Sequence, residues 1–145
     1  HNLPIIVSTH PRLRKKLKGY SKKNIILHKP FSFTDYVNLQ KNSKIVISDS
    51  GTINEEASIL GFNAINLREA HERPEANEEA VTIMTGTNLR NVINAIKYFE
   101  NNPLTNSKKE IIASYSKENV SDAIVKIIIS FINYIKQNNY KKNIN

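Results

Sequence analysis

From Lys44 to Ala57 the chain reads K-I-V-I-S-D-S-G-T-I-N-E-E-A, and this stretch constrains the fold more than any other. Ile45, Val46 and Ile47 form a β-branched apolar run of the kind expected in a strand covered on both faces. Ser50, Gly51 and Thr52 supply small side chains where the backbone must turn. Thr52 and Glu55 stand three apart, which predicts a capping box with Thr52 as N-cap and Glu55 reaching back. A strand entering a helix through such a turn presents backbone N–H groups and the positive end of the helix dipole, a combination that favours phosphate. An ordinary capped helix after a strand gives the same pattern, so both readings stay open on these residues alone.

The rest of the chain repeats this strand–helix alternation. Strands are predicted at 4–8, 24–28, 44–48, 64–67 and 81–84. Helices are predicted at 11–18, ending near Gly19, at 33–39 with Thr34 as N-cap, and at 52–60 with Gly61 just past the end. A further helix over 88–101 carries Val92, Ile93, Ile96 and Phe99 on one face. Short strands alternating with helices imply βαβ units, hence an α/β domain with a Rossmann-like parallel sheet and flanking helices. Ligands in such sheets sit beyond the carboxyl ends of the strands. His10, the turn Ser50 to Thr52 and the loop Arg68 to Asn77 all fall at that edge. Past Pro103 a polar helix is expected over 107–115 and a long helix with a continuous apolar stripe over 119–138. The domain reading is 1–105 for the Rossmann-like unit, 106–138 for the C-terminal helices and 139–145 for a frayed polar tail.

Composition narrows the partners. A chain of 145 residues suits one domain with a real core. No apolar run approaches the ~20 residues that span a bilayer, and no secretory signal is visible. With no cysteine, disulfides and Cys-based zinc sites are excluded. Neither a metal nor another cofactor is expected, and the location read from these features is cytoplasmic. The net charge of +8 is concentrated in residues 1–44, which hold ten basic residues and one acidic residue, Asp35. Arg12, Arg14, Lys15, Lys16 and Lys18 make a patch that could attract an anion. Without interleaved aromatics or a base-reading motif, a solvated helix face explains it better than nucleic-acid binding.

The second informative segment is N-L-R-E-A-H-E-R-P-E at 66–75. Arg73 could make a bidentate contact to a diphosphate, or equally an ion pair with Glu72 or Glu75 that orders the loop. Taken together, S-D-S-G-T-I-x-E-E-A at 48–57 and R-x-x-H-E-R-P-E at 68–75 resemble the C-terminal domain of UDP-N-acetylglucosamine 2-epimerases. His10-Pro11 after the first strand, and Tyr115-Ser116 to Ser121-Asp122 ahead of the last helix, fit the same resemblance. The H-E-R-P-E form and Asn119-Val120-Ser121-Asp122 look most like a capsule and O-antigen branch that acts on UDP-2-acetamido-2,6-dideoxy sugars and forms UDP-N-acetyl-L-fucosamine.

The resemblance implies one half of a GT-B-type fold, two Rossmann-like domains with UDP-sugar between them. It implies C2 inversion through removal of the C2 proton, expulsion of UDP, and re-addition to a glycal. It assigns the diphosphate to Ser50, Gly51 and Thr52, the ribose hydroxyls to Glu56, and a place near the phosphates to Arg73. Tyr36 falls near a uridine-contacting aromatic, and His10 matches a histidine that lines the cleft. Glu55, engaged in the capping box, would leave Glu56 turned about 100° around the helix and available to a ligand. The acidic residues that move the C2 proton, and the family's H-R-x-E-N segment, have no counterpart here. The chain is therefore expected to be less than half of such an enzyme, an excised domain or a gene remnant. Alone it would be inactive, with the last helix packing back toward a missing N-terminal domain and a homodimer possible at full length. The H-E-R-P-E loop argues against a GT-B UDP-sugar glycosyltransferase half, and a non-catalytic UDP-binding module is the remaining alternative. Asn63 stands where the family usually has proline.

Overall fold

A computed structural model describes residues 3–70, 80–102 and 111–142. Strand β1 (Ile5–Ser8) is followed by α1 (Pro11–Lys16), β2 (Ile25–His28), α2 (Phe33–Asn42), β3 (Val46–Ser48), α3 (Ile53–Leu60) and β4 (Ala64–Asn66). After β5 (Thr82–Met84) come α4 (Leu89–Asn101), a 3-10 turn (Ala113–Tyr115) and α5 (Val120–Lys142). The expected alternation and the parallel pairing both hold. Ile5 pairs with Ile25 across β1 and β2, while Ile47, Ile65 and Ile83 align across β3, β4 and β5. The strands nevertheless fall into two parallel sheets, of two and three strands, rather than one. A sheet is held by the layer that covers it, and α1 is a short basic helix with no buried residue. Ile5 and Ile26 accordingly remain half exposed on the smaller sheet. Full burial of β3 is also corrected: Ile45 and Val46 are half-buried, but Ile47 is 46% exposed at the edge of its sheet.

The core sits around β4, every residue of which is buried. Because side chains alternate across a strand, its two faces meet different helices. Ala64 packs with Ile53, Ala57 and Phe62 on the α3 side, and Ile65 packs with Ala95 and Phe99 of α4 on the other. The buried α4 residues lie four apart, one helical face, whereas Ile93, expected on that face, is 42% exposed. Gly61 ends α3 at φ +74 and donates its N–H to Ala57 O, the left-handed stop read from the sequence. At the carboxyl edge, the Thr87 hydroxyl donates to Glu69 Oε1 at 3.2 Å and ties the loop after β5 to the one after β4.

Several element ends differ from expectation. Helix α1 stops at Lys16 rather than Lys18. The N-cap of α2 is Ser32, not Thr34: its Oγ accepts the Asp35 N–H at 3.2 Å and donates to Asp35 Oδ2 at 2.6 Å. Asp35 at N3 thus accepts from the capping hydroxyl itself and fixes its rotamer, rather than reaching back to the Ser32 backbone N–H as in a capping box. Of the polar helix expected at 107–115, the described part holds only the 3-10 turn Ala113–Tyr115, anchored where Ile112 N–H donates to Ser58 Oγ of α3 at 3.2 Å. The rest of that segment and the 105/106 boundary lie outside the described residues. Helix α5 runs through Lys142, so the first part of the supposed tail is helical. Its large apolar side chains are 46–66% exposed from Val120 to Ile135, and among the described residues no helix is long and apolar enough to cross a membrane.

Candidate functional site

The β3–α3 turn is built from hydroxyls. Ser48 Oγ accepts the Ser50 N–H at 3.0 Å, and Ser50 Oγ accepts the Thr52 N–H at 3.3 Å while pairing with Thr52 Oγ1 at 2.9 Å. The amides of Ser50 and Thr52 are thus partnered within the turn, not left pointing outward as expected. The predicted capping box is corrected as well. A capping side chain needs extended backbone at the N-cap, but Thr52 is already near-helical at φ −90, ψ −2 and makes no cap bond. Its hydroxyl lies along the first turn instead and donates to Glu56 Oε1 at 2.6 Å.

Glu56 is therefore engaged in a way its spacing did not suggest. Its second oxygen, Oε2, accepts from Gln40 Nε2 of α2 at 2.5 Å. Tyr36 stands one turn before Gln40 on the same helix face, half-buried. Burial first, and then the negative charge of Glu56, raise the Tyr36 phenol above its ordinary 10.0, partly opposed by a hydrogen bond with Gln40. Thr52, Glu56, Gln40 and Tyr36 thus form one polar cluster between α2 and α3. Gln40 was not singled out in the sequence. Its signal was a polar residue one turn after Tyr36, on the face that α2 turns inward.

The raised phenol gives a pH expectation. The folded chain holds the Tyr36 proton where the unfolded chain has lost it, so this group's contribution to stability is complete below pH 10 and declines as pH rises through the folded-state value. Glu56→Gln removes the second cause but not the burial, and should bring the Tyr36 midpoint part of the way back toward 10.0. Tyrosine ring carbon shifts followed against pH measure this directly, and an unchanged midpoint in the variant would contradict the coupling.

Of the remaining predicted residues, His10 shares no hydrogen bond with this cluster and Arg73 is beyond description. His10 is the exposed N-cap of α1, and its Nδ1 accepts the Arg12 N–H at 3.3 Å, which puts the neutral ring's proton on Nε2. Beside it, Thr9 is fully buried, donating to His28 O at 2.7 Å and accepting from Arg14 Nε at 3.1 Å. Arg14 of the basic patch is thereby committed to holding α1 on the edge of its sheet. Arg73 and His71 lie outside the described residues, so only the Arg68 to Ala70 part of their loop is placed. Among the described residues no group of His, Asp and Glu is arranged to hold a metal.

A family model described as UDP-N-acetylglucosamine 2-epimerase matches residues 1–129. The UDP-N-acetylglucosamine 2-epimerase of Methanocaldococcus jannaschii is 36% identical over 117 residues, 72% of this chain and 32% of that enzyme. The structure of the UDP-N-acetylglucosamine 2-epimerase from Rickettsia bellii superposes with a TM-score of 0.78 at 41% identity, over 94% of this chain and 38% of that one. The M. jannaschii enzyme in complex with UDP-GlcNAc and UDP superposes with a TM-score of 0.69 at 31% identity, over 88% and 36%. The chain thus spans about a third of the length of these relatives, 32% to 38%. On the family match and these likenesses, the chain belongs to the UDP-N-acetylglucosamine 2-epimerase family.

Proposed function

We propose that this chain is the UDP-binding, C-terminal half of a non-hydrolysing UDP-N-acetylhexosamine 2-epimerase, an isomerase. The observation that carries the reading is the carboxylate of Glu56, held at the start of α3 by Thr52 and Gln40 in a chain whose relatives include a UDP-bound structure. The turn Ser50-Gly51-Thr52 receives the diphosphate, whose oxygens replace Ser50 Oγ on the Thr52 N–H. Glu56 accepts the ribose hydroxyls, Tyr36 borders the uridine, and Arg73 approaches the phosphates. In C2 inversion the proton leaves C2 as the C1–O bond to UDP breaks, giving a glycal, and UDP then re-adds as a proton arrives from the other face. The leaving diphosphate gains negative charge in that step. A helix N-terminus and an arginine stabilise it more in the broken state than in the intact sugar nucleotide. This half therefore retains UDP, while the acid and base that move the proton come from the N-terminal domain. Without that domain the chain inverts nothing.

The same reading places the exposed apolar side chains of α5 against the N-terminal domain. It also assigns the sugar to the 2-acetamido-2,6-dideoxy class of capsule and O-antigen synthesis, on the strength of H-E-R-P-E with Asn119-Val120-Ser121-Asp122, and keeps the cytoplasmic location read from the composition. The test is a titration of the chain with UDP, followed by backbone amide shifts, with AMP as control. Half a cleft binds weakly, and a Kd near millimolar, about −4 kcal/mol, is expected, with shifts centred on Ser50 to Glu56. A dispersed spectrum that does not respond to UDP would overturn the half-site.

A further inference from the structure

We propose that Gln40 is a positioning residue, holding the Glu56 carboxylate in the orientation that accepts a vicinal diol. This rests on the ribose reading of Glu56 and adds to it a residue that never touches the ligand. Gln40 is the one buried residue of α2, 3% exposed. An amide is an expensive choice there, because burial of polar atoms is unfavourable unless they are hydrogen-bonded. Only half of this amide is served. Nε2 donates to Glu56 Oε2, while Oε1 is buried with no hydrogen-bond partner among the described residues. A leucine or methionine would fill the same space without orphaning an acceptor. The carboxylate dictates which way the amide faces, since turning Oε1 toward Glu56 would set oxygen against oxygen.

The consequence lies in the lone pairs. Thr52 Oγ1 occupies one site on Oε1 and Gln40 Nε2 one site on Oε2. A carboxylate offers roughly four acceptor sites in all, so one on each oxygen remains for two neighbouring hydroxyls. With both oxygens tied to different helices, the carboxylate plane is fixed before the ligand arrives. Binding is then spared the loss of side-chain rotamer freedom, an effect of about three- to tenfold in affinity. Thr52 alone cannot supply this, since it lies on the same helix as Glu56 and fixes only one oxygen.

The test compares UDP with 2′-deoxy-UDP on the whole chain and on Gln40→Met, which keeps the volume and removes the amide. UDP binding should weaken about three- to tenfold while 2′-deoxy-UDP, already missing one of the two hydroxyls, changes much less, so the discrimination between them collapses. Equal weakening of both ligands, or of neither, would overturn the proposal, because a residue that merely packs α2 on α3 cannot tell the two sugars apart. Should Gln40→Met not fold, the unsubstituted chain still decides the matter: the Gln40 side-chain amide resonances should shift with UDP and shift less with 2′-deoxy-UDP. No response there to bound UDP would sink the inference while leaving the half-site intact. Failure of the unsubstituted chain to bind UDP at all would remove both.

Discussion

Glu56→Ala is expected to weaken UDP binding by about 10- to 100-fold, the range that follows from losing hydrogen bonds to a charged acceptor. From a starting affinity near millimolar, the titration of the variant should no longer saturate. The substitution also removes the acceptor of the Gln40 amide on α3 and frees the Thr52 hydroxyl, so some stability is lost with the affinity. Glu56→Gln separates the two effects. It keeps a hydrogen-bonding group against α2 and removes the charge, and should retain the amide spectrum of the parent while still losing most of the UDP response. AMP should perturb neither variant nor parent. A Glu56→Gln chain that binds UDP as well as the parent would show that the carboxylate serves only to tie α3 to α2, and the ribose assignment would fall.

Much of this arrangement was legible in the sequence, for reasons that also explain what was not. β-Branched runs such as Ile25-Ile26 and Ile45-Val46-Ile47, and the glycine at Gly61, are local signals, and the strands and the α3 stop appear where they predict. Caps are less local than they look. Ser32 and Thr34 both suit α2, and Ser32 prevails where Asp35 both gives its N–H to the Ser32 hydroxyl and accepts that hydroxyl's proton. At α3 the backbone of Thr52 is already helical, and that conformation, which no spacing rule encodes, turned a cap into a ligand of Glu56. The division of the strands into two sheets depends on pairing between segments far apart in sequence. So does the cluster itself: Gln40 and Glu56 meet across the α2–α3 interface, sixteen residues apart, and neither residue announces the other. The resemblance singled out Glu56 and Tyr36, which the fold brings into one cluster, but Gln40 beside them came only from the packing.

Ile53→Ala should destabilise the chain by about 2–5 kcal/mol, the cost of truncating a fully buried branched side chain and leaving a cavity. Ile53 is 0% exposed and packs with Ala57, Phe62 and Ala64 at the centre of the α3 side of the core. It is also the first residue of α3, directly after Thr52 and three before Glu56. The side chain that nails the helix to β4 thus sits beneath the groups assigned to UDP, and its loss should act on both. In a urea titration the midpoint should fall without a change in slope, since the surface exposed on unfolding is nearly the same. At low temperature and no denaturant, where the variant is still folded, UDP should bind more weakly than to the parent because the helix start is no longer pinned. A surface truncation on the opposite side of the same helix, Ile59→Ala at 52% exposure, should do neither, shifting stability by less than about 1 kcal/mol. If Ile53→Ala lowered stability but left UDP affinity untouched, the turn from Ser50 to Thr52 would be held by its own hydroxyl bonds rather than by the core below it. The site would then be an independent loop motif carried by the fold, not an extension of its packing.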